Sequence, residues 1–393
     1  MTTAIGIIGC GMVSHAYLGT IVRAPELRLK ALASRTMASA ETQAARYGGT
    51  AMRVADLLAD PEIAVVVNLA PPGVHHAIGR QVLAAGKHLY SEKPFATRLE
   101  DAHDLLALAE ARGLRIGCAP DTFLGGGNQA ARRLIDAGAI GTVTGGAIAF
   151  GTHGMEGWHP DPAFFYARGG GPLLDIGPYY VTQLVNLLGP VAEVIAIGTR
   201  PRATRTATAP GRAGEIIAVA VPTTVNGAIL FESGANVSLA MSWDVTQHGR
   251  RPIELYGTTG AMQAPDPNQF GGVPRLADGE GEWIATGDEP PRRKLDSATI
   301  VRALQAIGQG IDPLTGEPIS ATTTLGFGDL RGLGLRDLVA AINEGREPRA
   351  SGRLAVHVLE TLLALEASAD GGGRIRIRST VERPEPMPAG DAL

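Results

Sequence analysis

The sequence predicts an α/β fold. An N-terminal Rossmann domain, a doubly wound parallel sheet, is followed by a C-terminal α/β domain built on a large, mostly antiparallel open sheet. Three observations carry this prediction. Short apolar segments alternate with helical patterns over the first 120 residues. A glycine turn, Gly9-Cys10-Gly11-Met12-Val13-Ser14, joins the first strand to the first helix. After Pro120 the rhythm changes, and longer segments of alternating apolar and polar residues take over.

Taken in order, Ala4–Ile8 is short, apolar and β-branched, the mark of a strand buried on both faces. The helix after the glycine turn runs from Ser14 to Arg23. Leu27–Ala33 is the second strand, and Ala38–Tyr47 is a helix stopped by Gly48-Gly49. Ile63–Leu69 is the clearest core strand, broken by Pro71-Pro72-Gly73. A helix follows from His75 to Ala85 and ends at Gly86, and Lys87–Ser91 is the fourth strand. Thr97-Arg98-Leu99-Glu100 has the spacing of a capping box and opens a helix to Arg112. Leu114–Ala119 is the fifth strand. Beyond Pro120, a helix over Asn128–Ala137 precedes strands at Val143–Phe150, Val191–Ile197, Glu215–Val221, Gly227–Glu232 and Asn236–Ser242. Late helices are expected at Ile300–Gln309, Leu335–Asn343 and Leu354–Ala369, the last stopped by Gly371-Gly372-Gly373. Arg374–Arg378 alternates Arg and Ile, as an edge strand does.

A chain of 393 residues suits two domains. The expected division is 1–120 for dinucleotide binding, 121–378 for substrate binding and oligomerisation, and 379–393 for a Pro-rich tail that is loose or contacts a partner. With 45% hydrophobic and 19% charged residues, the balance is that of a globular protein and excludes global disorder. The net charge of −4 lacks the basic excess of a nucleic-acid binder. The two cysteines, Cys10 and Cys118, make no disulfide framework and have no metal-ligand spacing, so no metal is expected. No apolar run reaches the roughly 18 residues needed to span a bilayer. The N-terminus passes almost directly into a strand, so a cytoplasmic protein is expected. A G-x-S-x-G nucleophile elbow is absent, which removes an α/β-hydrolase reading.

Gly9-x-Gly11-x-x-Ser14 sits between strand and helix. The first glycine permits the tight turn, and the second lets backbone approach a pyrophosphate at the positive helix end. The backbone of Met12 and Val13 belongs to the same cradle. At the end of the second strand, where an acidic residue would bond the ribose 2′-OH of NAD, the sequence is Ala33-Ser34-Arg35-Thr36. The hydroxyl of Ser34 and the guanidinium of Arg35 suit a 2′-phosphate, so NADP is the preferred cofactor and NAD the alternative. Glu92-Lys93-Pro94 follows the fourth strand, at the carboxyl edge where such sheets bind ligands. Lys93 there is either a surface charge or a group at the nicotinamide, with Pro94 shaping a turn that admits a cis bond.

These motifs, with Ala70-Pro71-Pro72-x-x-His75, Ala85-Gly86-Lys87-His88 and Gly170–Tyr179 (Gly-Gly-Pro-Leu-Leu-Asp-Ile-Gly-Pro-Tyr), resemble the glucose–fructose oxidoreductase / inositol dehydrogenase (Gfo/Idh/MocA) family. The resemblance runs in order to about Arg378. It implies NAD(P)-linked transfer of a hydride to or from a hydroxyl/carbonyl carbon of a sugar, sugar derivative or polyol, and a homodimer or homotetramer formed through the open sheet. It assigns the motif lysine to Lys93, the motif aspartate to Asp175 and the acid/base position to Tyr179. Many members have His at that position. Tyr resembles the glucose–fructose oxidoreductase and dihydrodiol dehydrogenase branches and weakens an inositol assignment.

A free phenol has a pKa of about 10, so it donates a proton more readily than it removes one at neutral pH. Lowering a phenol by two to three units takes roughly 3–4 kcal/mol. An ammonium at about 4 Å supplies roughly 4 kcal/mol at an effective dielectric of 20, so Lys93 suffices if the fold brings it there. Asp175 would orient Lys93 or a substrate hydroxyl. The alternative for Tyr179 is packing, since Tyr179-Tyr180 begins an apolar helix. His75 stands near the nicotinamide or caps a helix. His153, Trp158 and His159 lie on a loop where an aromatic and an imidazole would stack on and bond a sugar, or pack the loop itself. Asp121, just past the fifth strand, reaches substrate or caps a turn. Two other readings stay open: a non-catalytic dinucleotide-binding sensor, for which a galactose-pathway repressor of the family is the precedent, and a tight-cofactor sugar–sugar oxidoreductase.

Overall fold

A computed structural model describes residues 2–287, except 160, 210 and 278, and residues 331–388. They divide into two compact units. The first holds residues up to Thr122 and, further on, 331–356; the second holds 123–287 and 357–388. The expected helix at Ile300–Gln309 lies outside the described residues.

In the first unit the strands are Thr3–Ile8 (β1), Leu27–Ala33 (β2), Thr50–Ala51 (β3), Ile63–Asn68 (β4), His88–Ser91 (β5) and Ile116–Cys118 (β6). They form one parallel sheet in the order β3-β2-β1-β4-β5-β6, so chain order reverses between β1 and β4. That reversal opens the crevice in which doubly wound sheets bind ligands. β3 and the short helix Val54–Ala59 had no counterpart in the sequence prediction, because two and six residues are too few to show a period. The capping box expected at Thr97–Glu100 does not form. Helix Leu99–Ala111 starts from Arg98 without a side-chain cap, and the Glu100 carboxylate pairs with the Arg98 guanidinium instead.

The segment 331–356, which the sequence division placed in the second domain, packs in the first unit. Leu335, Leu338 and Val339 of helix Leu333–Glu344 are buried in one apolar cluster with Ile5, Ile7, Tyr17 and Tyr90. A Cβ on Gly334 would stand 2.5 Å from the Tyr90 hydroxyl and 2.8 Å from Cβ of Asp121, so glycine lets this helix approach the sheet.

The second unit adds Val143–Gly151 (β7), Val191–Thr199 (β8), Thr204–Thr206 (β9), Ile216–Ala218 (β10), Thr224–Phe231 (β11), Asn236–Ser242 (β12), Ile253–Gly257 (β13), Ala261–Ala264 (β14), Arg275–Ala277 (β15), Trp283–Ala285 (β16) and Ile375–Arg376 (β17). The large sheet runs β16-β15-β14-β13-β7-β12-β11-β8-β17. β12 and β7 pair in parallel, and the other neighbours are antiparallel. The Arg–Ile alternation near the end of the chain forms the edge strand β17. β9 and β10 make a separate ribbon, so the expected strand at Glu215–Val221 leaves the main sheet. One face of β8 is buried through Val194 and Ala196, while Ile195 and Ile197 point outward.

The described part of the tail is tied down. Arg378 and Ser379 donate their backbone N–H groups to Glu360, Arg132 donates to the Pro384 carbonyl at 2.7 Å, and the Met387 N–H reaches Gln129 at 2.8 Å. Buried donors and acceptors on the second unit's helices find partners in this segment, which is why it is not loose.

Candidate active site

The parallel sheet aligns its strand ends. Ile8 is in register with both Ala33 and Asn68, and Asn68 with Ser91. The glycine turn, the Ser34-Arg35 turn, the Pro71-Pro72 turn and the Glu92-Lys93-Pro94 turn therefore leave from one edge. Gly9 has φ +110, and a Cβ there would stand 2.5 Å from the carbonyl carbon of Leu69. No other residue fits that turn. A Cβ on Gly11 would meet nothing within 4 Å, so the backbone faces open space at the N-terminus of helix Ser14–Arg23. That cradle fits a pyrophosphate. Ser14 is buried and turns its hydroxyl back onto the Gly11 carbonyl at 2.6 Å, which closes the loop on itself. Met12 is exposed beside the cradle and Val13 half-buried. Burial pushes the Cys10 thiol up to about 11, and its sulfur lies 3.6 Å from the Ala33 carbonyl.

Past β2, Ser34 is half-buried and Arg35 exposed, while the Thr36 and Ser39 hydroxyls bond each other at 2.7 Å. Past β4, Asn68 holds the Pro71 turn at both ends: its carbonyl oxygen accepts from the Ala70 N–H and its amide donates to the His75 carbonyl. His75, which the sequence reading placed near the nicotinamide or at a helix start, does start helix His75–Ala84 and turns its ring inward. Nδ1 lies 2.7 Å from the Pro94 carbonyl and Nε2 lies 2.6 Å from the Ala70 carbonyl. Burial lowers its pKa. Both nitrogens face backbone, so the ring braces two turns.

Past β5, Glu92 is buried and Lys93 half-buried, and the Lys93–Pro94 bond is cis. One Glu92 oxygen accepts from the Lys93 N–H at 2.9 Å and the other from the Tyr17 hydroxyl at 2.8 Å. Past β6, Asp121 does not face substrate. It is 1% exposed, and one oxygen accepts from the N–H groups of Gly332 and Gly334, both at 2.9 Å. It caps helix Leu333–Glu344, and burial raises its pKa to about 6.

In the second unit, Asp175 ends helix Gly171–Asp175 and Tyr179 lies in the first turn of helix Gly177–Leu188. Ile176, at the junction of the two helices, keeps right-handed helical angles. Gly177 is needed for packing, because a Cβ there would stand 2.5 Å from Leu362. Tyr179 is buried, and Asp175 is half-buried. The next residue, Tyr180, is a packing residue whose hydroxyl donates to the Ala149 carbonyl.

His159 lies within electrostatic reach of Asp175. Burial lowers its pKa, against the pull of the Asp161 and Asp175 charges. Its ring packs edge-on against Trp158 and Phe165, with centroids 5.3 and 4.7 Å away. Trp158 also packs on the cluster of Met155, Phe165, Tyr166 and Trp243. His153 is exposed, and its carbonyl accepts from Arg205.

Residues 3–119 match the oxidoreductase family with an NAD-binding Rossmann fold, and residues 128–263 match the GFO/IDH/MocA C-terminal domain. The chain belongs to the GFO/IDH/MocA oxidoreductase family. Among curated relatives of this family member, a dTDP-3,4-didehydro-2,6-dideoxy-alpha-D-glucose 3-reductase of Saccharopolyspora spinosa is 29% identical over 66% of this chain and 73% of its own. An uncharacterized oxidoreductase of Schizosaccharomyces pombe is 32% identical over 36% of this chain, and that match spans only 38% of the relative's length. A solved NAD-binding oxidoreductase of Klebsiella pneumoniae superposes with a TM-score of 0.74 at 22% identity, covering 96% of this chain and 99% of that one. At that identity the likeness speaks for the fold.

Sequence reasoning on this GFO/IDH/MocA chain missed two groups. Tyr17 lies on the buried face of its helix and meets Glu92, 75 positions away, and no local pattern announces such a pair. Arg205 is buried in a separate network. It donates to Glu156 at 2.7 Å and to the Trp243 carbonyl at 3.0 Å, pairs with Asp244, and lies 5.5 Å from the centre of the Tyr166 ring. The Tyr166 hydroxyl also bonds Glu156. A charge run or spacing that would signal it is lacking, since its partners come from three separate segments.

Proposed function

We propose that the protein is an NAD(P)-dependent dehydrogenase or reductase acting on a hydroxyl/carbonyl pair of a sugar, sugar derivative or polyol. The observation that carries this reading is the Glu92-Lys93-Pro94 turn leaving the same sheet edge as the glycine cradle, one strand from the crevice. Gly9, Gly11 and the backbone of Met12 and Val13 would hold the pyrophosphate, and Ala70, Pro71 and Lys93 would border the nicotinamide. When bound, the nicotinamide supplies the hydride acceptor or donor. Tyr179 gives the substrate oxygen a proton in reduction and takes it in oxidation. Lys93 supplies a positive charge beside the nicotinamide, and Asp175 orients a substrate hydroxyl. His159 and Trp158 border the sugar from their loop. The sugar-nucleotide reductase named above and the 1,5-anhydro-D-fructose reductase of Ensifer adhaerens, 24% identical over 65% of this chain, support the substrate class.

Arg35 and Ser34, with no carboxylate at the end of β2, favour NADP over NAD. The outward row Ile195, Ala228, Ser238 and Ala147 crosses four paired strands of the large sheet, and with Ile197, 74% exposed, it favours a homo-oligomer through that face. The test is a screen of sugars, cyclitols and sugar nucleotides, read by reduced-nicotinamide absorbance with NAD and NADP separately. Turnover of a sugar-type substrate that vanishes in Lys93→Ala and in Tyr179→Phe supports the reading. A Lys93→Ala protein that binds nucleotide and turns over at the wild-type rate ends it. In Arg35→Ala, KM for NADP should rise about tenfold while KM for NAD holds, the size of one lost charge–phosphate contact of about 1.4 kcal/mol.

A further inference from the structure

Lys93 is gripped on both flanks by buried side chains from other elements. On one side, Glu92 accepts from the Lys93 N–H and from the hydroxyl of Tyr17, which stands on the helix that opens at the glycine cradle. On the other, the His75 ring reaches the Pro94 carbonyl, while its second nitrogen reaches Ala70 in the Pro71 turn. Tyr17 is fully buried, its ring edge-on to Tyr90 at 5.9 Å, and His75 is 1% exposed. Neither can move without disturbing packed neighbours.

A carbonyl only accepts, so each His75 contact calls for a protonated ring nitrogen, and a neutral ring satisfies one of them at a time. The two oxygens of the Glu92 carboxylate are taken one each by the Tyr17 hydroxyl and the Lys93 amide. Removing the hydroxyl leaves a buried carboxylate oxygen short of a donor, and the turn it organises is the part that can give way.

We propose that Tyr17, through Glu92, and His75, through the Pro94 carbonyl, are positioning residues that lock Lys93 to the two turns bordering the dinucleotide cradle, so that filling the cradle orders the lysine. The inference rests on the reading of the Gly9–Gly11 turn as the nucleotide cradle and of Lys93 as a working group.

The test is hydrogen–deuterium exchange of the full chain with and without NADH, read by mass spectrometry. In the wild-type protein NADH should slow exchange in peptides covering both residues 8–16 and residues 89–96. In Tyr17→Phe, which keeps the ring, the slowing should persist at 8–16 and fall about tenfold or more at 89–96, the scale of one lost charge-assisted hydrogen bond. His75→Asn should lose it likewise, a second route if Tyr17→Phe does not fold. Glu92→Gln still accepts from the Lys93 amide and lets its own amide donate to the Tyr17 oxygen, so it should keep the coupling. With a substrate from the screen, Tyr17→Phe should lower kcat while KM for NADP or NAD changes less than twofold. Equal protection at 89–96 in the wild type and in both variants overturns the proposal, as does a wild type in which NADH protects only 8–16. A Lys93→Ala enzyme of undiminished turnover overturns the catalytic reading alone, because the exchange coupling does not depend on the amine.

Discussion

Asp121 carries its charge where water cannot reach it. Burial raises its pKa from 3.8 to about 6, and the Gly334 and Gly332 N–H groups pull the other way. Between those values the folded protein binds the proton more tightly than the unfolded chain. The resulting stability is complete below about pH 4 and is lost as pH rises through 6, a swing of roughly 3 kcal/mol. Asp121→Asn keeps an acceptor for both N–H groups and removes the charge. Its stability relative to the wild type should therefore improve by up to about 3 kcal/mol between pH 4 and 7. Urea midpoints at matched pH check this, and a gap that does not change with pH would refute it. The difference between the two proteins is the right quantity because His15 has the opposite slope. Burial and the Arg46 charge lower its pKa to about 4, so its contribution is lost as pH falls. At the proposed reaction centre, Tyr179→Phe should cost roughly 10²–10⁴ in kcat with nucleotide binding intact, the usual worth of a general acid. Stopped-flow turnover and NADH fluorescence titration separate the two.

Among the elements, two attachments decide where functional segments sit. Helix Leu333–Glu344 reaches the parallel sheet only because Gly334 brings no Cβ against Tyr90 and Asp121. Gly334→Ala should destabilise by about 1–3 kcal/mol, the cost of overpacking a well-filled site, and thermal unfolding will show it. In the second unit, Arg205 ties the loop carrying His153, Trp158 and His159 to the sheet through Glu156, Asp244 and the His153 carbonyl. Its side chain is 2% exposed, so Arg205→Ala leaves two largely buried carboxylates, Glu156 and Asp244, with hydroxyl donors but no cation. The expected loss is about 3–5 kcal/mol, with a shift in the emission of the buried Trp243. An unchanged spectrum and midpoint would mean the loop is held by its aromatic contacts alone.

For the chain as a whole, the last described residues close the second unit rather than trail from it. Arg132 is 6% exposed and divides its donors among Asp136, Asn186 and Pro384. Arg383 pairs with Asp136 and donates to the Asn186 carbonyl. Truncation after Ile377 removes these contacts together and should cost about 2–4 kcal/mol, as several buried hydrogen bonds to charged groups are lost at once. A truncated chain with the full-length melting temperature would return the tail to the loose state its proline content suggests. Replacing Ile195 and Ile197 by Asp should leave the fold intact and shift an oligomer toward monomer in light scattering, since both side chains point away from the unit's core.

The sequence alone determined what depends on neighbours along the chain. β1 and β4 follow from β-branched apolar runs and the glycine turn from a conformation only glycine adopts, while Asp175 and Tyr179 were found through their resemblance to a family motif. β2 and β12 were legible to the residue because their apolar residues alternate with polar or small ones between clear breaks. Tertiary structure decided what depends on distant groups. His75 and Asp121 each read two ways beside their strand ends, as ligand-facing or as capping residues, and the fold spends both on backbone partners, because a buried polar group must be satisfied by whatever lies within reach. Tyr17 gained its role from Glu92, Arg205 from residues on three segments, and helix Leu333–Glu344 its place from a gap against Tyr90. A side chain's chemistry is written in its own residue type, but its availability is set by which neighbours have already claimed its donors and acceptors.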